Sequence, residues 1–183
     1  MNLNQRRTRE YARAYTLIET IMVLVVIAIL GRVVLVKLTA TDQRNVVEQA
    51  DILRRDITHI QSIALTYGVA LRLNVGSSAY TITCRSVGIP CASVGANATD
   101  PVNGQPFSVN LPSTLSLSAA SPNAALTTID FDSAGRPTNG ASLLATNPAA
   151  TFTLKNTSAV PAAEQRTALV MLRPITGFAE VSY

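Results

Sequence analysis

The chain has 183 residues, which is enough for one domain of ordinary size and an appendage. Only 14% of its residues are charged and 48% are hydrophobic, and much of the hydrophobic excess lies in residues 17–38. Residues 1–14 carry +3 of the formal net charge of +4 (four arginines against one glutamate), which leaves +1 for the rest of the chain. This distribution argues against a basic face for nucleic acid.

An apolar run follows the basic segment. No side chain from Ile21 to Gly31 is polar, and the wider run of residues 17–38 has 22 residues. A helix that spans a bilayer needs about 20 mostly apolar residues. Basic residues before such a run stay on the cytoplasmic side. We therefore expect a cytoplasmic leader at residues 1–14 and a transmembrane helix at residues 15–40.

Glu19 is an acid near the start of this run. A carboxylate in hydrocarbon costs several kcal/mol unless it is paired or lies near the interface. Glu19 therefore either marks the cytoplasmic boundary or awaits a positive partner, such as the N-terminal amine of a neighbouring subunit.

The residues from Ala14 to Glu19, Ala-Tyr-Thr-Leu-Ile-Glu, precede the aliphatic run. This stretch resembles the signal of type IV pilins and of the pseudopilins of type II secretion. The resemblance implies that a prepilin peptidase cuts between Ala14 and Tyr15, that Tyr15 is then N-methylated, and that Glu19 pairs with a neighbour's N-terminus during assembly. The family usually has Gly before the cut and Phe after it. The Arg6-Arg7 pair also occurs in twin-arginine signals, but no cleavage signature follows the run.

The next segment has the apolar period of an amphipathic helix. Spacings of 4, 3, 4, 3 and 4 separate its stripe residues, which are Val46, Ala50, Leu53, Ile57, Ile60 and Ala64. We expect this helix at residues 41–67, ending at Gly68. His59 is interpreted as a surface or boundary residue, because the sequence supplies no partner for a catalytic role.

Residues 68–183 show short alternating runs between turn signals, which predict an antiparallel sheet or a small sandwich. The strand candidates are residues 69–75, 80–84, 107–111, 115–118, 127–131, 151–154, 168–172 and 177–181. Residues 88–106 are expected to form a long loop. The predicted fold class is α+β, with a long N-terminal helix (membrane half and amphipathic half) packed on this C-terminal sheet domain, as in pilins.

Cys84 and Cys91 lie in a turn-rich region downstream of the predicted membrane segment. If that region is exported, the oxidising compartment favours a disulfide that closes a small loop. Two free thiols are the alternative. Two cysteines and the distant His59 supply too few ligands for a metal site, and no cofactor is expected.

Two further motifs narrow the resemblance. Residues 131–137, Phe-Asp-Ser-Ala-Gly-Arg-Pro, and the later Thr176-Gly177-Phe178 resemble stretches of the H-type minor pseudopilins of type II secretion and of the FimT-like minor pilins. A pseudopilin of a mannose-sensitive haemagglutinin-type pilus fits about as well. The resemblance implies a periplasmic β-rich domain at residues 68–183 and a single-pass anchor in the bacterial inner membrane.

The leading hypothesis is a structural subunit, not an enzyme, of a type II secretion pseudopilus or a type IV pilus. Its expected partners are other pilins through the N-terminal helix, the prepilin peptidase and the inner-membrane assembly platform. The alternative is a minor pilin that binds DNA or a surface, with Arg136, Arg166 and Arg173 as candidates. A periplasmic enzyme would need a nucleophile–base pair or a metal cluster, and the sequence offers neither.

Overall fold

The computed structural model of the chain describes residues 17–121, 124–140, 142–158 and 165–183, and the side chains of these residues except 31–44. One helix, α1, spans Leu17–Tyr67. The strands in the described residues are β1 (Leu71–Val75), β2 (Ala79–Cys84), β3 (Ser108–Asn110), β4 (Leu115–Ser121), β5 (Ala124–Leu126), β6 (Thr128–Phe131), β7 (Pro137–Asn139), β8 (Ser142–Leu143), β9 (Ala150–Asn156), β10 (Thr167–Leu172) and β11 (Ala179–Ser182). The chain divides into two compact units, Met1–Leu38 and Thr39–Tyr183.

The part of α1 in the second unit buries the predicted stripe. All six stripe residues, Val46, Ala50, Leu53, Ile57, Ile60 and Ala64, are at most 1% exposed, which confirms the periodicity argument. The helix ends at Gly68, whose φ of +65° is the left-handed conformation that glycine adopts readily. The Val69 amide donates to the Ala64 carbonyl at 3.2 Å, so the final turn is closed as in a Schellman motif.

Both sheets are antiparallel and contribute to one core with the helix stripe. The first sheet has the strand order β3-β2-β1-β6-β7-β8 and the second has the order β11-β10-β9-β4-β5. Alternate residues of β1 and its partner β6 face the core: Leu71 is paired with Phe131, and Leu73 with Ile129. The domain therefore has two sheets and not the single sheet that was one of the two expectations.

The predicted α+β class with antiparallel sheets is confirmed, and all eight strand candidates overlap observed strands. Strands β5, β7 and β8 were not predicted. They have two or three residues each, which is too short to show an alternating pattern.

In the part of the chain that the structure describes, no helix is long and apolar enough to cross a membrane. The leader at residues 1–14 lies outside the described residues. So do residues 15 and 16 of the predicted membrane segment and the side chains of its residues 31–40.

Candidate functional site

The first turns of α1 expose large apolar side chains on every side. Between residues 17 and 30, eleven of them have 50–79% of their surface exposed: Leu17, Ile18, Ile21, Met22, Val23, Leu24, Val25, Val26, Ile27, Ile29 and Leu30. A helix that is apolar all round is stable only when lipid or other protein covers it. Single exposed apolar residues are ordinary on a protein surface, but a continuous apolar surface marks an interaction site. We call the eleven exposed apolar side chains of residues 17–30 the sleeve.

Glu19 lies in the first turn of α1, at the head of one apolar face of this sleeve. Met22, Val23, Val26 and Ile27 share that face with it, at the helical spacings of three, four, seven and eight residues. When such a face is covered by apolar material, the carboxylate needs a cationic partner or a proton. The predicted cut between Ala14 and Tyr15, and the methylated Tyr15, lie outside the described residues.

Cys84 and Cys91 are joined by a disulfide, with an S–S distance of 2.06 Å. Both cysteines are buried. The Cys84 amide donates to the Ala96 carbonyl at 2.9 Å, and the Gly95 amide donates to the Cys84 carbonyl at 2.8 Å. The disulfide therefore secures the start of the long loop of residues 88–106 to strand β2.

Gln61 of α1 links the two motifs singled out in the sequence. Its Nε2 donates to the Gly135 carbonyl at 3.1 Å and to the Thr176 carbonyl at 3.4 Å. A Cβ at residue 135 would lie 3.2 Å from the Gln61 carbonyl oxygen, and a Cβ at Gly177 would overlap Gln61 Nε2. Each turn therefore lies directly against the helix, and φ of +72° at Gly135 and +66° at Gly177 is the left-handed conformation that glycine adopts readily.

This arrangement explains the two motifs, because each of them forms a turn that packs against α1. Gly135 lies in the turn between β6 and β7 of the first sheet, whereas Gly177 lies in the turn between β10 and β11 of the second. One side chain of α1 thus holds a turn from each sheet, and we call this contact the Gln61 clamp.

Asp132 shapes the first of these turns. Its Oδ1 accepts hydrogen bonds from the amides of Ala134 and Arg136, both at 2.9 Å, and its Oδ2 accepts one from Arg136 Nε at 2.8 Å. Burial alone would raise the pKa of Asp132, but the hydrogen bonds from Arg136 and Ala134 outweigh it, and the pKa lies below its ordinary value. The ionised carboxylate therefore organises the turn.

The arginines considered for nucleic acid do not form a free cationic face. Arg136 is paired with Asp132 at 2.8 Å, and Arg173 is paired with Glu180. Arg166 is exposed on the chain entering β10. A pocket of about 310 Å³ beside the first turn is lined by Arg85 and Arg136 together with two aspartates, so its formal charges balance.

The titratable groups near His59 hold the long loop on the helix. His59 Nε2 lies 3.5 Å from Asp100 Oδ1, and its ring centre lies 6.1 Å from that of Phe107. One turn earlier, Asp56 accepts a hydrogen bond from the hydroxyl of buried Tyr80. Burial raises the pKa of both Asp56 and Tyr80.

These contacts tie loop and sheet to α1 and place no nucleophile beside a base. Among the described residues, no group of three His, Cys, Asp or Glu side chains could hold a metal ion.

Two solved structures share this architecture, and both are of the minor pseudopilin EpsH from the type II secretion system of Vibrio cholerae. One is 12% identical to this chain with a TM-score of 0.54, and the match covers 75% of this chain and 96% of the other. The second is 11% identical with a TM-score of 0.55, and its match covers 76% and 94%. No protein-family model matches the sequence, and no curated protein matches it either.

The chain has the fold of a minor pseudopilin. The resemblance to the H-type minor pseudopilins is therefore confirmed at the level of fold. An identity of 11–12% says nothing about role, which rests on the residues themselves. The haemagglutinin-type interpretation is not tested by either structure and stays a prediction.

Gln61 was missed by the reasoning from sequence, and so was the ion pair of Asp130. Asp130, on β6, is nearly buried and accepts from Arg72 Nε at 2.6 Å and Nη2 at 2.9 Å, while Arg85 lies 3.4 Å away. Arg72 and Asp130 are register partners on adjacent strands. One feature of the sequence could have pointed to Gln61. It follows the stripe residue Ile60 and so lies beside the buried face of α1, and two glycine-containing turn motifs occur later in the chain.

Proposed function

We propose that this chain is a minor pseudopilin, a structural and non-enzymatic subunit of a type II secretion pseudopilus, assembled through its N-terminal helix. The observation that carries the proposal is the sleeve of eleven exposed apolar side chains at residues 17–30. The pseudopilin fold, which matches over 75–76% of the chain, supports it.

The sleeve is large enough to matter energetically. Full burial of a Val, Leu, Ile or Met side chain contributes about 1.5–3 kcal/mol. Eleven such side chains that are at least half exposed would therefore contribute roughly 10–20 kcal/mol on burial from water. Association costs about 4–15 kcal/mol in lost translation and rotation. Burial of the sleeve can therefore drive either membrane insertion or packing against other helices.

Glu19 explains why the N-terminal helix would pack against other helices and not remain surrounded by lipid. Lipid tails are as apolar as leucine, so helices gain little hydrophobic free energy when they leave lipid for one another. A carboxylate at the head of an apolar face, however, costs several kcal/mol in the bilayer unless it lies near the interface or has a cationic partner. Pairing of Glu19 with the N-terminal amine of a neighbouring subunit lowers that cost within a bundle of helices, where lipid tails carry no cation.

Processing at the N-terminus creates that amine. Prepilin peptidase cuts between Ala14 and Tyr15 on the cytoplasmic side and methylates the new N-terminus at Tyr15, so that Glu19 becomes the fifth residue of the mature chain. The mature protein is held in the bacterial inner membrane by residues 15–40, with residues 68–183 in the periplasm. The disulfide between Cys84 and Cys91 fits an oxidising compartment. The inner-membrane assembly platform and other pseudopilins are the partners.

The test is Glu19→Ala in the full-length chain, produced in cells with its own secretion apparatus. We expect the variant to be inserted into the membrane at the normal level and to be lost from sheared pseudopili, because the carboxylate that pairs with a neighbour is gone. Glu48→Ala, at an exposed position of the same helix, is the matched control and should assemble normally. Normal incorporation of Glu19→Ala would refute the pairing mechanism.

A further inference from the structure

The sequence contains two asparagines that are followed by glycine. Asn103-Gly104 lies in the long loop, and Asn139-Gly140 lies at the end of strand β7. Both asparagines are exposed. Asparagine is a chemically labile residue, because the backbone nitrogen of the next residue can attack its side-chain amide. Glycine hinders that attack least, since it has no Cβ. The two sites therefore have the same local sequence chemistry, and only the fold distinguishes them.

Asn103 lies at the tip of a turn that is closed only at its base. The Asp100 amide donates to the Gln105 carbonyl at 2.8 Å, and the Gly104 amide donates to the Asp100 carbonyl at 2.8 Å. The residues between them, 101–104, are exposed and belong to neither sheet. The Gly104 nitrogen is therefore freed for reaction by the loss of one hydrogen bond at the surface.

A second hydrogen bond prepares the side chain of Asn103. The Gln105 amide donates to Asn103 Oδ1 at 2.8 Å. The ring that this bond closes contains both Asn103 Cγ and the Gly104 nitrogen, so the side chain is folded forward over the peptide whose nitrogen would attack it. The donor also draws electron density from Cγ and stabilises the negative charge that forms on Oδ1 during the attack.

Asn139 has different surroundings. It is the register partner of Ser142 in the hairpin of β7 and β8. The side chain of an extended strand residue stands roughly perpendicular to the sheet and is not folded over the next peptide. The backbone at Asn139 must therefore leave its strand pairing before the Gly140 nitrogen can reach Asn139 Cγ.

We propose that Asn103 is a site of spontaneous deamidation in the folded protein. Hydroxide removes the proton from the Gly104 nitrogen, which attacks Asn103 Cγ. The new C–N bond closes a five-membered succinimide, the bond from Cγ to Nδ2 breaks, and Nδ2 takes a proton from water and leaves as ammonia. Water then opens the ring at either carbonyl, which gives aspartate or isoaspartate. The proposal does not depend on the pseudopilin function proposed above.

The reaction would change the charge and the main-chain path of the loop tip. Asp100 is the one charged residue of the sequence from 88 to 106, and its Oδ1 lies 3.5 Å from His59 Nε2. Deamidation of Asn103 places a second negative charge three residues away. Isoaspartate also adds a methylene group to the main chain, so the hydrogen bonds that now shape the tip cannot all be kept.

Peptide mapping of the purified full-length chain, incubated in detergent at pH 8, tests the proposal. Cleavage by chymotrypsin after Phe107 and Phe131 places the two asparagines in separate peptides, and each deamidation raises the peptide mass by one dalton. We expect Asn103 to react at least about fivefold faster than Asn139, because it alone is already folded for attack. An isoaspartyl methyltransferase should label the peptide that contains residue 103. Equal rates, or a faster reaction at Asn139, would overturn the proposal.

The same incubation in urea separates the fold from the sequence. Both sites are followed by glycine, so we expect their rates to become nearly equal once the chain is unfolded. A ratio that persists in urea would show that the local sequence sets the rate, and it would overturn the structural argument.

Two glycine variants give a matched test. Gly104 and Gly140 have φ of +70° and +65°, and a Cβ at either position would meet no atom within 4 Å. Alanine therefore brings the same backbone strain and no packing clash at both positions. Gly104→Ala should slow deamidation at Asn103 severalfold, because the new Cβ hinders the attacking nitrogen. Gly140→Ala should leave the rate at Asn103 unchanged. An unchanged rate in Gly104→Ala would contradict attack by the Gly104 nitrogen.

Discussion

Residues 17–30 and residues 46–64 belong to the same helix, but their apolar side chains have opposite surroundings. In the first stretch the large apolar residues lie on all sides and are at least half exposed, whereas in the second six apolar residues form one stripe that is at most 1% exposed, and Val47 outside the stripe is 40% exposed. A single stripe can be covered by one sheet layer of the same chain, but an all-round sleeve needs several neighbours. The comparison teaches that the apolar pattern of a helix, more than its total apolar content, decides whether burial occurs within the chain or between chains.

The largest expected effect comes from replacing one isoleucine by alanine in each of the two stretches. Ile57 is 0% exposed and Ile27 is 59% exposed. Ile57→Ala should lower the free energy of unfolding by about 2–5 kcal/mol, because it leaves a cavity in the core. Ile27→Ala should change that free energy by less than about 0.5 kcal/mol but reduce incorporation into pseudopili. Urea unfolding of the full chain in detergent, followed by tyrosine near-ultraviolet circular dichroism, measures the first quantity.

Equal losses of folding stability in the two variants would contradict this comparison. Such a result would mean that the side chains of residues 17–30 already pack within the chain.

The Gln61 clamp allows a second test, which asks how the buried stretch of the helix is held by the two turns. Gly140 and Gly177 both have positive φ, but a Cβ at residue 140 would meet no atom within 4 Å, whereas a Cβ at residue 177 would overlap Gln61 Nε2. Gly140→Ala should cost about 1–2 kcal/mol from backbone strain alone. Gly177→Ala should cost about 1–3 kcal/mol more, because Gln61 must give up two hydrogen bonds.

A double-mutant cycle isolates the clamp. In a Gln61→Ala background most of the extra cost of Gly177→Ala should be lost, because the overlap with the Gln61 side chain is gone and only the 3.1 Å approach to the Gly135 carbonyl oxygen remains. The same unfolding measurement applies. An undiminished extra cost in that background would assign the clash to the Gly135 carbonyl oxygen and not to the Gln61 side chain.

The sequence was sufficient for features that repeat with a period. The stripe from Val46 to Ala64 and the longer strands show spacings that a packed helix or strand requires, and these predictions hold. Strand β3 has only three residues as well, but Phe107, Val109 and Leu111 extend its alternation beyond the strand, whereas β5, β7 and β8 lie in no such run and were not predictable in this way. The sequence left open whether Cys84 and Cys91 pair, because pairing depends on how the chain folds between β2 and the long loop.

The clamp and the buried ion pair were beyond sequence reasoning for a different reason. Gln61 bonds to carbonyls that lie 74 and 115 residues away. Arg72 meets Asp130 across 58 residues, through the register of two strands. Such contacts depend on topology, and a glutamine or an arginine in one chain segment carries no local sign of its distant partner. The glycines of the two motifs did mark the right turns, although not the side chain that requires them.

The smallest expected effect concerns two carboxylates of the folded domain that respond to pH in opposite ways. Burial raises the pKa of Asp56 above its ordinary value of 3.8, although the hydrogen bond from Tyr80 and the charges of His59 and Arg55 act against it. The stabilising contribution of a group with a raised pKa is fully present below pH 3.8. It is lost as the pH rises through the pKa of the folded state, because the partly buried carboxyl must then ionise.

The contribution of Asp132 to stability changes with pH in the opposite direction. Its pKa lies below 3.8, because the hydrogen bonds from Arg136 and Ala134 outweigh the effect of burial. The contribution of Asp132 is therefore fully present above pH 3.8 and is lost as the pH falls through the pKa of the folded state. On the acid side of neutrality the two aspartates partly offset each other.

Two variants separate these contributions. Asp56→Asn removes the loss that accompanies rising pH, so stability should climb more steeply with pH than in the unmodified chain. Asp132→Asn removes the gain, so its profile should be flatter and its stability at pH 7 lower. Urea midpoints measured from pH 3 to pH 7 report both slopes, and a change of slope in the same direction in both variants would contradict the assignment.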